Sequence, residues 1–416
     1  MYGGCMLDTE EAVEKVVLVG VSLKDNDDTE KSIDELEDLV ATAGAVTVSR
    51  VIQNRATIDS ATYVGKGKMD EIKEEIIFHN ATGIVCDDEL TPAQMKNMEE
   101  ELEVKVMDRT MVILDIFASR ASTSEGKIQV ELAQLKYRSS RLTGRGTSLS
   151  RLGGGIGTRG PGEKKLEVDR RVIRDRISQL NKELEEVKRH RDVQRKQRSK
   201  NQTPVVCIVG YTNAGKSTLL NRLTDAGVLE EDKLFATLDP TTRNLVLPDG
   251  QEILLTDTVG FIRKLPHHLI NAFRSTLEEA KYSDLIIHVV DGSNPQMDEQ
   301  MHTVYETLDK LEVGDKTIIT AFNKMDKLSE RPVFKDFKAD KTVYMSAINL
   351  EGADNLLQAV QSILKERKVY IEKLFDFKDA GKIQIIRKYG QLISEEYVDN
   401  GIYVKAYIDV ADEGRL

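Results

Sequence analysis

Apolar positions in the first hundred residues switch repeatedly between a strand's short runs and the three-to-four-residue recurrence of a helix. Residues 15–21 (KVVLVGV) read as a strand, and residues 32–43 as a helix with Ile33, Leu36, Leu39 and Val40 on one face. Strand-like 46–53, a helix over 68–79, strand 83–86, a helix after Thr91-Pro92 and strand 104–107 follow. Such alternation predicts a small α/β domain of roughly a hundred residues. The pattern then turns helical: 110–142 is interrupted only by Gly126, and 164–199 carries a stripe of Leu166, Ile173, Ile177, Leu180, Leu184 and Val187. Two such helices joined by one loop predict a long antiparallel hairpin.

Further along, short apolar runs stand just before polar tetrapeptides. Val205–Val209 enters Gly210-Tyr211-Thr212-Asn213-Ala214-Gly215-Lys216-Ser217, and Thr218 opens a leucine-rich helix. This is G-x-x-x-x-G-K-S in its strand-to-helix setting, a phosphate-binding loop. Gly210 and Gly215 permit close backbone approach, so successive N–H groups can converge on phosphate oxygens. Lys216 adds a point charge at the β- and γ-phosphates, and the Ser217 hydroxyl offers a hard oxygen to Mg²⁺.

The base is read downstream. Asn323-Lys324-Met325-Asp326 follows the run 317–322. Asp326 can accept from both the N1–H and the amine of guanine while Lys324 lies over the ring, and adenine would leave that acceptor unpaired. Ser346-Ala347-Ile348 follows another strand-like run and offers backbone amides to the guanine carbonyl. Between these, Asp257-Thr258-Val259-Gly260 ends a strand, with Asp257 holding Mg²⁺ through its water shell and the Gly260 amide facing the γ-phosphate. Phe235-Ala236-Thr237-Leu238-Asp239 is the candidate first switch, in which Thr237 is the favoured second Mg²⁺ hydroxyl and Thr241 the rival. Lys216, Thr237, Gly260 and Asn213 are the candidate catalytic groups.

The expected fold class is therefore α/β. A P-loop GTPase domain over 201–368, a mostly parallel sheet flanked by helices, is joined by an N-terminal α/β domain (1–112). A helical hairpin spans 113–200 with a tip loop at 142–163, and a small α/β domain spans 369–416. In this last piece 381–386 reads as a strand, a helix is expected after it, and 402–408 as a second strand.

Composition changes the picture in one place. The chain carries a net charge of −11 over 416 residues, yet 136–200 holds 20 Lys/Arg against 8 Asp/Glu. The hairpin alone therefore has polyanion-binding character. Its tip contains eight glycines, with Arg145, Arg151 and Arg159 and no acid before Glu163. Two readings stand: a linker, or a probe that orders on RNA with its arginines on phosphates or bases. The second is favoured, because the charge excess is confined here. Cys5, Cys86 and Cys207 have no metal or disulfide spacing, and neither a membrane span nor a signal peptide is visible, so a cytoplasmic monomer is expected.

The order of these motifs resembles the translation-factor-like GTPases. The FATLDPTTR stretch at 235–243, with the glycine-rich RLGGGIGTRGPGE at 151–163, resembles the HflX family over nearly the whole chain. The resemblance implies GTP and GDP as ligands, Mg²⁺ as cofactor, the large ribosomal subunit as partner, and a role in splitting or rescuing ribosomes under stress. The competing readings are an RNA-binding module with a structural nucleotide and a tRNA-modification-type GTPase, the latter lacking the reactive-cysteine context it needs. Phe261 stands where many GTPases carry a water-orienting glutamine, so slow intrinsic turnover and activation by a partner or by K⁺ are expected. Asn213 is either a K⁺ ligand, as in potassium-activated relatives, or a turn residue. The turn 63–68 (YVGKGK) reads first as an ordinary turn; the resemblance adds RNA or a second nucleotide. His267 and His268 are assigned no chemistry.

Overall fold

The computed structural model describes residues 13–23, 28–142, 161–201, 203–224, 234–266, 269, 279–330, 332–366, 368–398 and 400–409. The packing divides the chain into two compact units. The first holds residues 1–186 with 231–239 and 260–275, and the second holds 187–230, 240–259 and 276–416.

The first unit is built on β1 (Lys15–Leu23), β2 (Val46–Arg55), β3 (Gly83–Cys86) and β4 (Lys105–Asp108), parallel in the order β2-β1-β3-β4. Val16 to Val19 are all buried, as a central parallel strand covered on both faces requires. The crossovers are α1 (Thr29–Thr42), α2 (Lys66–His79) and α3 (Pro92–Leu102), the last started by a Thr91/Gln94 capping box and a proline in its first turn. Two helices follow where the pattern suggested one: α4 (Arg109–Arg120) and α5 (Ser124–Arg141). The break falls at 121–123 because Thr123 turns its side chain to cap α5 at the Gly126 N–H, 2.9 Å away.

A buried carboxylate locks these elements. One oxygen of Asp108 accepts from the Met111 N–H at the start of α4, and the other from the Leu90 N–H, the Tyr137 hydroxyl (2.6 Å) and Arg141 (2.8 Å). The following helix, α6 (Pro161–Asn201), runs antiparallel to α5: Arg170 donates to the Leu142 carbonyl, and Arg176 grips Glu131 through two bonds of 2.7 and 2.9 Å. The division between units falls within α6. Arg145, Arg151 and Arg159 at the hairpin tip, and His267 and His268, lie outside the described residues.

The second unit holds a six-stranded sheet, ordered β10-β9-β8-β5-β7-β6, from β5 (Val205–Gly210), β6 (Thr241–Val246), β7 (Glu252–Asp257), β8 (Leu285–Asp291), β9 (Ile318–Asn323) and β10 (Lys341–Tyr344). All neighbours are parallel except the edge strand β6. With α7 (Lys216–Thr224), α8 (Met297–Lys310) and α9 (Ala353–Glu366) on its faces, this is the doubly wound α/β plan. Core side chains such as Val206, Ile208, Ile287, Val289, Ile319 and Ala321 hold the central strands in register.

At the C-terminus β11 (Lys368–Phe375), β12 (Gln391–Val398) and β13 (Gly401–Asp409) form an antiparallel sheet in the order β11-β13-β12, with α10 (Ala380–Tyr389) against it. The strand expected at 381–386 is thus a helix, and the helix expected after it is β12. Ile383 and Ile386, one helical turn apart, pack on Phe375, Ile402 and Val404. A short apolar run cannot by itself distinguish this face from a strand.

Candidate functional site

The phosphate-binding loop leaves β5 at the carboxyl edge of the second unit's sheet, the edge where such sheets receive ligands. Two close approaches explain its glycines. A β-carbon on Gly210 would stand 2.3 Å from the Val289 carbonyl oxygen, and one on Gly215, whose φ is +96°, would stand 2.2 Å from the Asn323 amide nitrogen. The loop can therefore lie against β8 and the Asn323 turn only without side chains there.

Lys216 opens α7 and is buried, its ammonium donating to the Tyr211 carbonyl at 2.7 Å. Burial pushes its pKa down to about 8; Asp257 pulls upward and Lys324 pushes further down. Ser217 donates to Asp257 at 2.7 Å, so a hydroxyl and a fully buried carboxylate share one point at the helix start. Such hard-oxygen chemistry suits Mg²⁺. The buried Thr212 hydroxyl has no hydrogen-bond partner among the described residues, and Asn213 is exposed at φ +59°. Thr258 ties the end of β7 to β5 by donating to the Ile208 carbonyl at 2.7 Å.

The strand ends expected to read the base meet at Asn323. Its amide donates to the Ala214 carbonyl in the phosphate loop (2.9 Å) and its oxygen accepts from the Ala347 N–H (2.8 Å). One buried side chain therefore fixes the phosphate loop, the N-K-x-D turn and the Ser346–Ile348 loop against one another. The short 3₁₀ turn Met325–Lys327 follows, with Met325 donating to the Met345 carbonyl and Asp326 exposed. Ser346 and Ala347 are buried, and Ile348 is exposed. Sequence reasoning misses Asp291, although its carboxylate stands 2.8 Å from the Lys324 ammonium. The available signal is an Asp-Gly-Ser turn closing the apolar run 285–290, beside the N-K-x-D strand.

Gly210 to Thr218, Asp257 to Val259, Asn323 to Asp326 and Ser346 to Ile348 thus lie together in the second unit. Phe235 to Asp239 and Gly260 belong to the first. There Phe235 packs edge-on against Phe117 with centroids 4.7 Å apart, and Thr237 and Leu238 are buried. Asp239 accepts from the N–H and hydroxyl of both Ser122 and Thr123 at 2.6–2.9 Å. Burial alone would raise its pKa, but these bonds outweigh burial and hold it below the ordinary value. Phe261 is buried, Arg263 offers its carbonyl to Arg109, and Lys264 pairs with Asp87 and Asp88.

Comparison with known proteins places this geometry in a family. Models described as GTP-binding GTPase N-terminal, GTP-binding GTPase Middle Region and 50S ribosome-binding GTPase match residues 30–118, 120–198 and 205–324. A protein of Lacrimispora saccharolytica named GTPase HflX is 66% identical over 403 residues, covering 97% of this chain and 95% of that one. One of the same name from Caldanaerobacter subterraneus is 49% identical over 414 residues, covering 100% and 95%, and that of Escherichia coli is 42% identical, covering 85% and 84%. Among the described residues no helix is long and apolar enough to cross a membrane.

Proposed function

We propose, for this chain, which belongs to the HflX family of GTPases and hydrolyses GTP, that it acts bound to the large ribosomal subunit and that the nucleotide sets its grip there. The carrying observation is the Asn323 clamp, which holds the phosphate loop and both guanine-reading loops in one fixed arrangement. The match of residues 205–324 to a domain described as a 50S ribosome-binding GTPase supports the choice of partner.

In this reading the loop amides and Lys216 hold the β- and γ-phosphates, Asp326 and the Ser346–Ile348 amides read guanine, and Lys324 covers the ring. Ser217 and Thr237 are the Mg²⁺ hydroxyl ligands, and Asp257 orients Ser217. When bound, Mg²⁺ neutralises charge between the phosphates. The Gly260 amide meets the γ-phosphate. Phe261 cannot orient water, so turnover is slow until the ribosome, or K⁺ at Asn213, completes the site. The arginines at 145, 151 and 159 meet ribosomal RNA, and the action is splitting or rescue of stressed ribosomes.

Sedimentation with 30S, 50S and 70S particles tests this. Co-pelleting with 50S should be stronger with a non-hydrolysable GTP analogue than with GDP, and 50S should accelerate single-turnover hydrolysis. Equal pelleting in both nucleotides would favour a structural nucleotide instead.

A further inference from the structure

Lys324 does not reach its position unaided. It sits at φ +61°, a left-handed conformation that non-glycine residues adopt only where surroundings impose it. Asp291, the last residue of β8, pairs in register with Asn323, and the next amide, Gly292 N–H, donates to the Asn323 carbonyl at 2.9 Å. This puts the Asp291 carboxylate beside the turn. Its Oδ2 lies 2.8 Å from the Lys324 ammonium, with the two side chains only 13% and 14% exposed. Its Oδ1 accepts from the Ser293 N–H (3.0 Å) and hydroxyl (2.6 Å). Both carboxylate oxygens are therefore committed, and the group cannot rotate away. Gly292 completes the fit: a β-carbon there would stand 3.1 Å from the Met325 sulfur and 3.3 Å from the Phe334 ring.

We propose that Asp291 is a positioning residue for guanine-nucleotide binding: by anchoring the Lys324 ammonium it directs that side chain's methylenes across the base and sets how long nucleotide is retained. The inference rests on the guanine reading above. An exposed ion pair would contribute little. This pair is largely withdrawn from water, and Ser293 fixes the acid from behind, so loss of the acid leaves a lysine without its guide.

Release of a fluorescent GDP analogue measures the effect. Asp291→Asn should accelerate release about tenfold, the scale of one missing charge-assisted bond, and raise KM for GTP while kcat at saturation changes less than about twofold. Ser293→Ala, which spares the ion pair, should accelerate it by a smaller factor and guards against a misfolded aspartate variant. The coupling is decisive: in a Lys324→Ala background, Asp291→Asn should add nothing further. Unchanged release in Asp291→Asn, or effects that simply multiply in the double variant, would overturn the inference. A wild-type chain that retains no guanine nucleotide would refute the underlying reading instead.

Discussion

Lys216 shows how a single side chain carries both cost and function. Its ammonium is buried beside α7 with its pKa held down to about 8, against an ordinary 10.5. Between these values the unfolded chain binds more protons than the folded one. Stability of the nucleotide-free protein therefore rises with pH from about 8 to 10.5, and below about 8 the cost is constant. Binding runs the other way, because phosphate oxygens favour the charged form. GDP affinity should be flat below about pH 8 and then fall by up to about tenfold per pH unit. Titration calorimetry from pH 6.5 to 9.5 checks this, and a pH-independent affinity would show that Lys216 stays charged throughout. Lys216 and the glycines around it were legible in the sequence because strand, turn and helix are adjacent in it. Asp291 was not, because its partner is 33 positions away and only the pairing of β8 with β9 joins them.

At the scale of elements, the start of α5 is the informative case. Thr123 caps its first turn at the Gly126 N–H, and Asp239, more than a hundred residues away, holds that cap in place by accepting from the N–H and hydroxyl of both Ser122 and Thr123 just before the helix. Gly126 makes room, since a β-carbon there would lie 2.3 Å from the Asp239 carboxylate. Asp239→Ala should destabilise the protein by about 1–3 kcal/mol, the scale for removing a charged hydrogen-bond acceptor from its partners. Gly126→Ala should cost a similar amount by displacing the carboxylate, and the two together less than their sum. Urea unfolding of the three variants measures this, and full additivity would show that the two residues act independently. Element type was harder to read than element existence. Residues 381–386 carry three isoleucines in six positions, and only the sheet of β11–β13 reveals that two of them form a helical face.

For the whole molecule, the basic excess between 136 and 200 is the property that no single element contains. If the tip arginines meet ribosomal RNA, replacing Arg145, Arg151 and Arg159 by alanine should weaken 50S association by about tenfold or more. It should also flatten the salt dependence, because a chain that neutralises fewer phosphates displaces fewer counterions on binding. GTP binding, in which these three arginines take no part on this reading, should persist. Pelleting across a KCl series measures both, and an unchanged salt slope would assign the RNA-binding surface elsewhere.

From its sequence alone the chain specified the alternating α/β plan, the phosphate loop, the N-K-x-D turn at a strand end and the confinement of positive charge to one segment, since each is written in neighbouring residues. Tertiary structure decided that Asn323 clamps three loops, that Asp291 holds Lys324, that Asp239 braces the capping residue of a helix far from it in sequence, and that 110–142 breaks in two. These depend on which groups meet across strands and helices. Spacing along a chain encodes which face a residue takes within its own element, but carries no record of what packs against that face.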